Sequence, residues 1–366
     1  MFTVLTCYYR PKPGGFCKRL FRAIEALLKN GHDVHYISVA PFPITHPRCH
    51  FHRFPWPSDK TDTLLFWFVF HIIAPWQLLF IAVRYNITHA FAFGPTYSLL
   101  LQLACFLKRI PLTLFLRSDT IKNHRIKNHP WWIVAIDKFF EGIAISGVRM
   151  YGVSDTLTST IVRRHRYFRP ILAKVLRNDV QRVFSTNTRG RPLSRPTRLA
   201  SVGILEPRKN NDLLIRCMTS IPSHHAHLFL YGTGPDADRL KRLATALNVS
   251  GRVSFTGWIN SPSALWCDID LLLFPSLHEG MSNAVLEALA CQVPVLASDI
   301  PEHREILPAE HLLDPNRIDV WERRLFSIIF GKDIDEELSA IKRRQEPYAK
   351  RLHFDWGCAV CQAIVH

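Results

Sequence analysis

The chain has 366 residues, 48% hydrophobic and 21% charged, which is too apolar for a disordered chain and long enough for two cores. Lys and Arg outnumber Asp and Glu by 46 to 30, a formal net charge of +16 that draws the protein toward anionic partners. Nine cysteines without a repeated spacing argue against a disulfide framework and for a reducing compartment, and the one Cys-x-x-Cys, at Cys358 and Cys361, lacks the second pair of a zinc set.

The first residues, 2–6, read as a strand rather than a secretory leader. Gly14 and Gly15 then open a helix over 16–28, ended by Gly31, and 34–39 is the next strand. Residues 63–83 are the most apolar stretch. Their length suits a membrane span, but His71, Pro75 and Gln77 interrupt it, so two shorter helices, buried or lying on a membrane, are expected. Strands follow at 87–91 and 112–115 around a helix at 95–107, with further strands at 150–153 and 174–176. Residues 181–196 are polar, without apolar periodicity, and read as a linker. Strand–helix alternation restarts at 198–202, as expected of parallel α/β architecture.

Gly232 and Gly234 follow a strand and precede a helix, as in a dinucleotide fingerprint. The next strand, 253–256, ends without the carboxylate that a ribose would need, so a nicotinamide enzyme is not expected. Asp268 and Asp270 have the spacing of a metal-binding pair. They precede a strand, at the end away from a ligand, and no metal site is expected.

The most informative stretch is LLLFPSLHEGMSNAVLEALACQVPVLASDIPEHREI, residues 271–306. A short buried strand at 271–274 leads into a loop carrying Glu279 and Gly280. A helix follows from Asn283 to about Cys291, with Ser282 able to cap it, and Pro294 stops it before a strand at 293–297. Loops at the carboxyl ends of parallel strands are where such sheets bind ligands. Free amides of Met281, Ser282 and Asn283 at a helix start suit a phosphate, and Gly280 lets the backbone come close. Glu279 and Glu287 are poor phosphate ligands but good acceptors for sugar hydroxyls. Together they suggest a nucleotide-sugar: diphosphate on the amides, one carboxylate on the sugar and one on the ribose.

With seven residues between them inside EGMSNAVLEALAC-x-VPVLAS, Glu279 and Glu287 resemble the signature of the large retaining glycosyltransferase family 4, of GT-B fold. The resemblance implies two Rossmann-like α/β domains facing each other across a cleft. The expected domains are an acceptor-binding domain over 1–180, the linker at 181–196, a nucleotide-sugar-binding domain over 197–352, and a last helix, 353–366, crossing back. It implies that Glu279 contacts the donor sugar and Glu287 the ribose. Lys209, in SVGILEPRKNNDLLI, would neutralise the leaving diphosphate with Arg208 beside it, and Gly232 and Gly234 would line the nucleotide pocket. Gly14 and Gly15 would lie near donor phosphates and acceptor, with Arg117 facing the cleft. The chain departs from the family pattern at Ile204 (usually Arg), at Arg117 to Asp119 (where a His is frequent), at Asp179 (Gly after Asn178) and at Gln292 (usually Gly).

The implied reaction is metal-independent and cofactor-free. It transfers a sugar, from a UDP-sugar by preference, to a hydroxyl of a lipid-linked or other glycan acceptor. Alternatives are a nucleotide-sugar 2-epimerase of the same fold and a non-catalytic nucleotide-sugar-binding protein. Residues 1–180 hold 24 Lys and Arg against 9 Asp and Glu, leaving 22 against 21 for the rest. This asymmetry, with the apolar 63–83, leads us to expect a cytoplasmic protein peripheral on the anionic inner face of the cell membrane. No nucleic-acid motif accompanies the charge.

Overall fold

The structure, a computed structural model, describes residues 1–12, 15–126, 129–179, 196–259 and 262–366. Gly14, and the linker at 181–196 apart from Pro196, lie outside the described residues. The chain forms two compact units, Met1–Arg177 with Asp355–His366, and Asn178–Phe354. Asn178 and Asp179 thus belong to the second unit, slightly ahead of the boundary expected at 180.

In the first unit, strands β1 (Thr3–Cys7), β2 (Asp33–Ser38), β3 (Cys49–Arg53), β4 (His89–Phe93), β5 (Leu112–Leu116), β6 (Arg149–Gly152) and β7 (Leu172–Val175) form one sheet in the order β3-β2-β1-β4-β5-β6-β7. All pairings are parallel. The helices are α1 (Gly15–Lys29), α2 (Leu64–Arg84), α3 (Pro95–Lys108), α4 (Thr120–Ile126), α5 (Trp131–Ile145) and α6 (Asp155–Arg164). Right-handed crossovers put α1 on one face of the sheet and α2, α3 and α5 on the other. Fully buried Val4, Leu5, Ala90, Phe91 and Leu114 form the sheet's centre.

The second unit repeats the plan. Strands β8 (Thr197–Val202), β9 (Ala226–Tyr231), β10 (Val253–Gly257), β11 (Leu271–Phe274), β12 (Val295–Ser298) and β13 (Leu312–Leu313) run in the order β10-β9-β8-β11-β12-β13. All pair in parallel. Helices α7 (Asn211–Cys217), α8 (Ala237–Ala246), α9 (Pro262–Cys267), α10 (Asn283–Ala290), α11 (Pro301–Arg304), α12 (Ile318–Ile329) and α13 (Ile334–Lys350) flank it. Numbered from its own first strand the order is 3-2-1-4-5-6, the doubly wound order with a switch point between β8 and β11. The last helix, α14 (Trp356–Val365), packs on α1 in the first unit.

Two expectations are corrected. The apolar stretch is one 21-residue helix rather than two short ones. Pro75 leaves the carbonyl one turn back, that of His71, without its amide, and His71 is exposed, so water can satisfy it and the helix continues. Strand β3 was not foreseen. Its sequence, CHFHR, has weak apolar character, but it runs in register beside β2, with His35 Nδ1 and His52 Nε2 2.9 Å apart and His50 stacked on His35 at 4.5 Å.

Candidate active site at the switch point

β8 and β11 are neighbours, with Leu199 opposite Leu271 and Ala200 opposite Leu272. Their carboxyl ends release the two loops that carry the predicted chemistry. The first turns through a short 3-10 segment, Pro207–Lys209, and the second runs from Pro275 to Ser282. The Leu277 amide donates to the Arg208 carbonyl at 2.9 Å and ties them together.

At their junction, two cations converge on one carboxylate oxygen. Lys209 Nζ is 2.7 Å and Arg208 Nη1 2.9 Å from Glu279 Oε1. Arg208 also donates from Nη2 to Glu206 Oε1 at 2.6 Å and from Nη1 to the His278 carbonyl at 2.7 Å. The Lys209 ammonium lies 4.4 Å from the centre of the Phe274 ring. Gly203, at φ +149°, leaves room for this lysine, because a Cβ there would sit 3.2 Å from Lys209 Cε.

Glu279 is only 7% exposed. Burial pushes its carboxyl up, but Lys209 and Arg208 outweigh that and bring it down to about 2. Burial draws the Lys209 ammonium down, with Glu279 opposing. Glu279 is therefore ionised at neutral pH, held in a cluster of two carboxylates and two cations.

Helix α10 begins beside this cluster. Ser282 occupies its N-cap position, but its side chain makes no capping hydrogen bond, contrary to the expected role of that hydroxyl. The hydroxyl instead meets His303 Nε2 at 3.0 Å. His303 Nδ1 lies 2.8 Å from the Ser298 carbonyl, which can only accept, so Nδ1 carries the proton and Nε2 accepts from Ser282. His303 is fully buried, and burial lowers its proton affinity, which favours that neutral tautomer. The hydroxyl is thereby turned away from the first amides of the helix. Asn178 Nδ2 donates to Asn283 Oδ1 at 2.7 Å, and the Asn178 amide lies 3.2 Å from Met281 Sδ. Glu287 is half-buried, four residues after Asn283 and so on the same face of α10.

The glycine turn after β9 has a backbone explanation. A Cβ on Gly232, at φ +139°, would fall 1.9 Å from the Gly203 carbonyl oxygen, and one on Gly234 2.2 Å from that of Leu205. Both glycines let this turn press against the loop that carries Lys209.

Of the remaining predicted residues, Gly280 and Met281 are buried in the β11 loop, and Ile204 is 51% exposed. Gly15 opens α1 and Arg117 follows β5, both in the first unit. Beside Arg117, buried Asp119 pairs with Arg164, whose Nη1 is also 2.9 Å from Glu141. Asp270 accepts from the Arg198 amide at 2.8 Å, at the amino ends of β8 and β11, far along the strands from the Glu279 cluster. Sequence reasoning missed Glu206, His303 and the Asn178–Asn283 contact. A histidine amid the buried residues after β12 was the only signal for the second.

Residues 196–324 match the family model "Glycosyl transferases group 1". The second unit is a group 1 glycosyltransferase domain. The lipopolysaccharide core biosynthesis glycosyltransferase LpsE of Rhizobium meliloti is 36% identical over 98 residues, 27% of this chain and 28% of that protein. A Campylobacter jejuni N-acetylgalactosamine-N,N'-diacetylbacillosaminyl-diphospho-undecaprenol 4-alpha-N-acetylgalactosaminyltransferase is 34% identical over 101 residues, 28% of this chain and 27% of that one. The chain thus matches little more than a quarter of the length of these curated relatives. Over the whole chain the likeness is one of fold. Anabaena Alr3699/HepE, solved with UDP and glucose, superposes with a TM-score of 0.76 at 16% identity, covering 99% of this chain and 98% of that one. The glycosyltransferase domain and the first unit together have the two-domain GT-B fold.

Proposed function

We propose that the protein is a retaining, metal-independent hexosyltransferase that moves a sugar from a nucleotide-sugar, a UDP-sugar by preference, to a hydroxyl of a lipid-linked glycan in cell-surface polysaccharide or lipopolysaccharide synthesis. The observation that carries this reading is the Glu279 carboxylate, buried and ionised between Lys209 and Arg208 beside a helix start that the Ser282 hydroxyl does not cap. The donor diphosphate lies on the first amides of α10 and draws on Lys209 and Arg208. Both cations bind Oε1 of Glu279, and in this reading Oε2 accepts from the sugar hydroxyls. Glu287 takes the ribose. In the transfer, the bond from the anomeric carbon to the phosphate oxygen breaks, and the bond to the acceptor oxygen forms on the same face. The acceptor proton passes to the leaving phosphate. Arg208 supplies the second cation that the family pattern would place at Ile204. The Campylobacter relative's name includes a diphospho-undecaprenol acceptor, which supports a lipid-linked acceptor here. UDP in the Anabaena structure supports the choice of base.

The test is transfer after dialysis into excess EDTA, using a panel of nucleotide-sugars. Activity should persist, and Glu279→Gln and Glu287→Gln should each lower kcat/KM by about 10- to 150-fold, equivalent to about 1.5–3 kcal/mol. Glu287→Gln should weaken UDP binding, whereas Glu279→Gln should spare it, because it frees Lys209 and Arg208 for the phosphates. Wild-type rates in both variants, or activity that returns only with Mn²⁺, would defeat the assignment.

A further inference from the structure

The first unit leaves a broad apolar surface uncovered. Helix α2 buries Phe66, Phe70, Ala74, Leu78 and Ile81 at helical spacing. Its opposite stripe, Leu65, Phe68, Ile72, Trp76, Phe80 and Val83, is equally apolar and 51–66% exposed. Helix α3 packs against both α2 and α5 and turns Phe106 and Leu107 outward. Helix α5 adds Trp131, Trp132, Ile136, Phe139 and Phe140, all exposed. A surface of this extent on one side of a domain calls for an occupant.

Charge selects the occupant. Exposed Arg84 ends α2, Lys108 and Arg109 end α3, and Lys138 lies on α5. Arg163, Arg166 and Arg169, also exposed, flank Phe168, whose ring meets that of Phe139 on α5. The nearby acids are engaged. Asp137 is 2.6 Å from His124, and Glu141 is buried against Arg164 and His165. A second copy would bring the same positive rim and repel it, whereas an anionic surface complements it.

We propose that the α2–α3–α5 face docks on an anionic bilayer, with α2 in the plane of the interface, its aromatic stripe among the acyl chains and the arginines at the headgroups. Helix α2 is long and apolar enough to cross a membrane. Crossing, however, would strip Phe66 and Phe70 from the Phe54 ring, and Gln77 Nε2 from the Arg53 carbonyl, to which it donates at 3.0 Å. Lying flat keeps those contacts and covers only the outer stripe. This names the surface through which the proposed enzyme meets its membrane, but its argument uses the first unit alone.

The experiment is flotation of the whole protein with phosphatidylethanolamine–phosphatidylglycerol vesicles and with phosphatidylcholine vesicles. Wild type should bind the anionic vesicles at least about tenfold more tightly, each arginine contributing about fivefold. The combined variant Phe68→Ser/Trp76→Ser/Phe80→Ser should lose about tenfold or more. Arg163→Gln/Arg166→Gln/Arg169→Gln should lose the preference for anionic lipid. High salt should release the wild type only in part. Lipids brominated near the headgroup should quench tryptophan fluorescence more than lipids brominated near the chain ends, a readout that needs no variant. Equal binding to both vesicles, binding to neither, stronger quenching from the chain ends, or a lipid-free dimer that the aromatic variant dissolves would each overturn the proposal. UDP-sugar binding by the same variants, whose substitutions lie outside the donor site, reports separately on the transferase reading.

Discussion

Glu279 ties stability to the proposed function through one atom. Its carboxyl, held at about 2 by Lys209 and Arg208, contributes stability that is fully present above the unfolded value near 4.3 and disappears as pH falls toward 2. The linkage is on the order of 3 kcal/mol, undiminished by solvent because the group is buried. Melting curves between pH 6 and pH 3 should show wild type losing stability faster than Glu279→Gln, and parallel curves would count against an ionised, paired carboxylate. Gln292 is a second case. It sits at φ +57° in the position after the α10 C-cap, where its amide bonds to the Leu289 carbonyl and that of Val293 to the Ala288 carbonyl. Glycine is the residue this turn prefers, which accounts for the family pattern there. Gln292→Gly should raise stability by about 0.5–1 kcal/mol, seen as a Tm higher by roughly 2 °C.

At the scale of elements, the glycine turn after β9 is a tightly constrained joint in the second unit. A methyl group at Gly232 has nowhere to go but into the Gly203 carbonyl, and that loop in turn carries Lys209. Gly232→Ala should therefore lose roughly 2–3 kcal/mol in urea unfolding and weaken donor binding, whereas Gly251→Ala, which meets nothing within 4 Å, should be neutral. The same scale shows what the sequence could and could not tell. The β11–α10–β12 unit was readable almost residue by residue, because its strands are buried on both faces and Pro294 and Ser282 punctuate them. The α2 reading failed at Pro75, because the carbonyl it leaves without an amide belongs to exposed His71, where water can satisfy it. Strand β3 was hidden because its stability comes from pairing with β2 and from stacked histidines rather than from its own apolar pattern. The role of His303 was invisible because it depends on a hydroxyl 21 residues earlier, a contact that only tertiary packing defines.

At the scale of the whole molecule, two sheets share a strand order but not a surface. The second unit is close to neutral in sequence, and its proposed chemistry is concentrated where β8 and β11 part. The first carries nearly all the excess positive charge and the exposed aromatic helices. Helix α14 completes that first unit. Trp356, Val360, Ile364 and Val365 are buried, Arg149 donates to the Ile364 carbonyl at 2.8 Å, and Arg19 and Arg22 cover the Trp356 ring at 5.0 and 5.2 Å. Four such side chains represent roughly 6–12 kcal/mol of gross apolar burial. Deleting residues 355–366 should thus separate one melting transition into two, with the first unit unfolding early and the second little affected. Differential scanning calorimetry reads this directly, and a single unshifted transition would refute it.

The return of α14 also sets a timetable for synthesis. A ribosome delivers residues 1–177 long before residues 355–366, and at 5–20 residues per second the gap is on the order of 10–40 s. Throughout that interval the α1 face lacks its cover, while the second unit, contiguous in sequence, can close as it emerges. The nascent first unit is consequently a natural client for chaperones that hold apolar surface until α14 docks on α1.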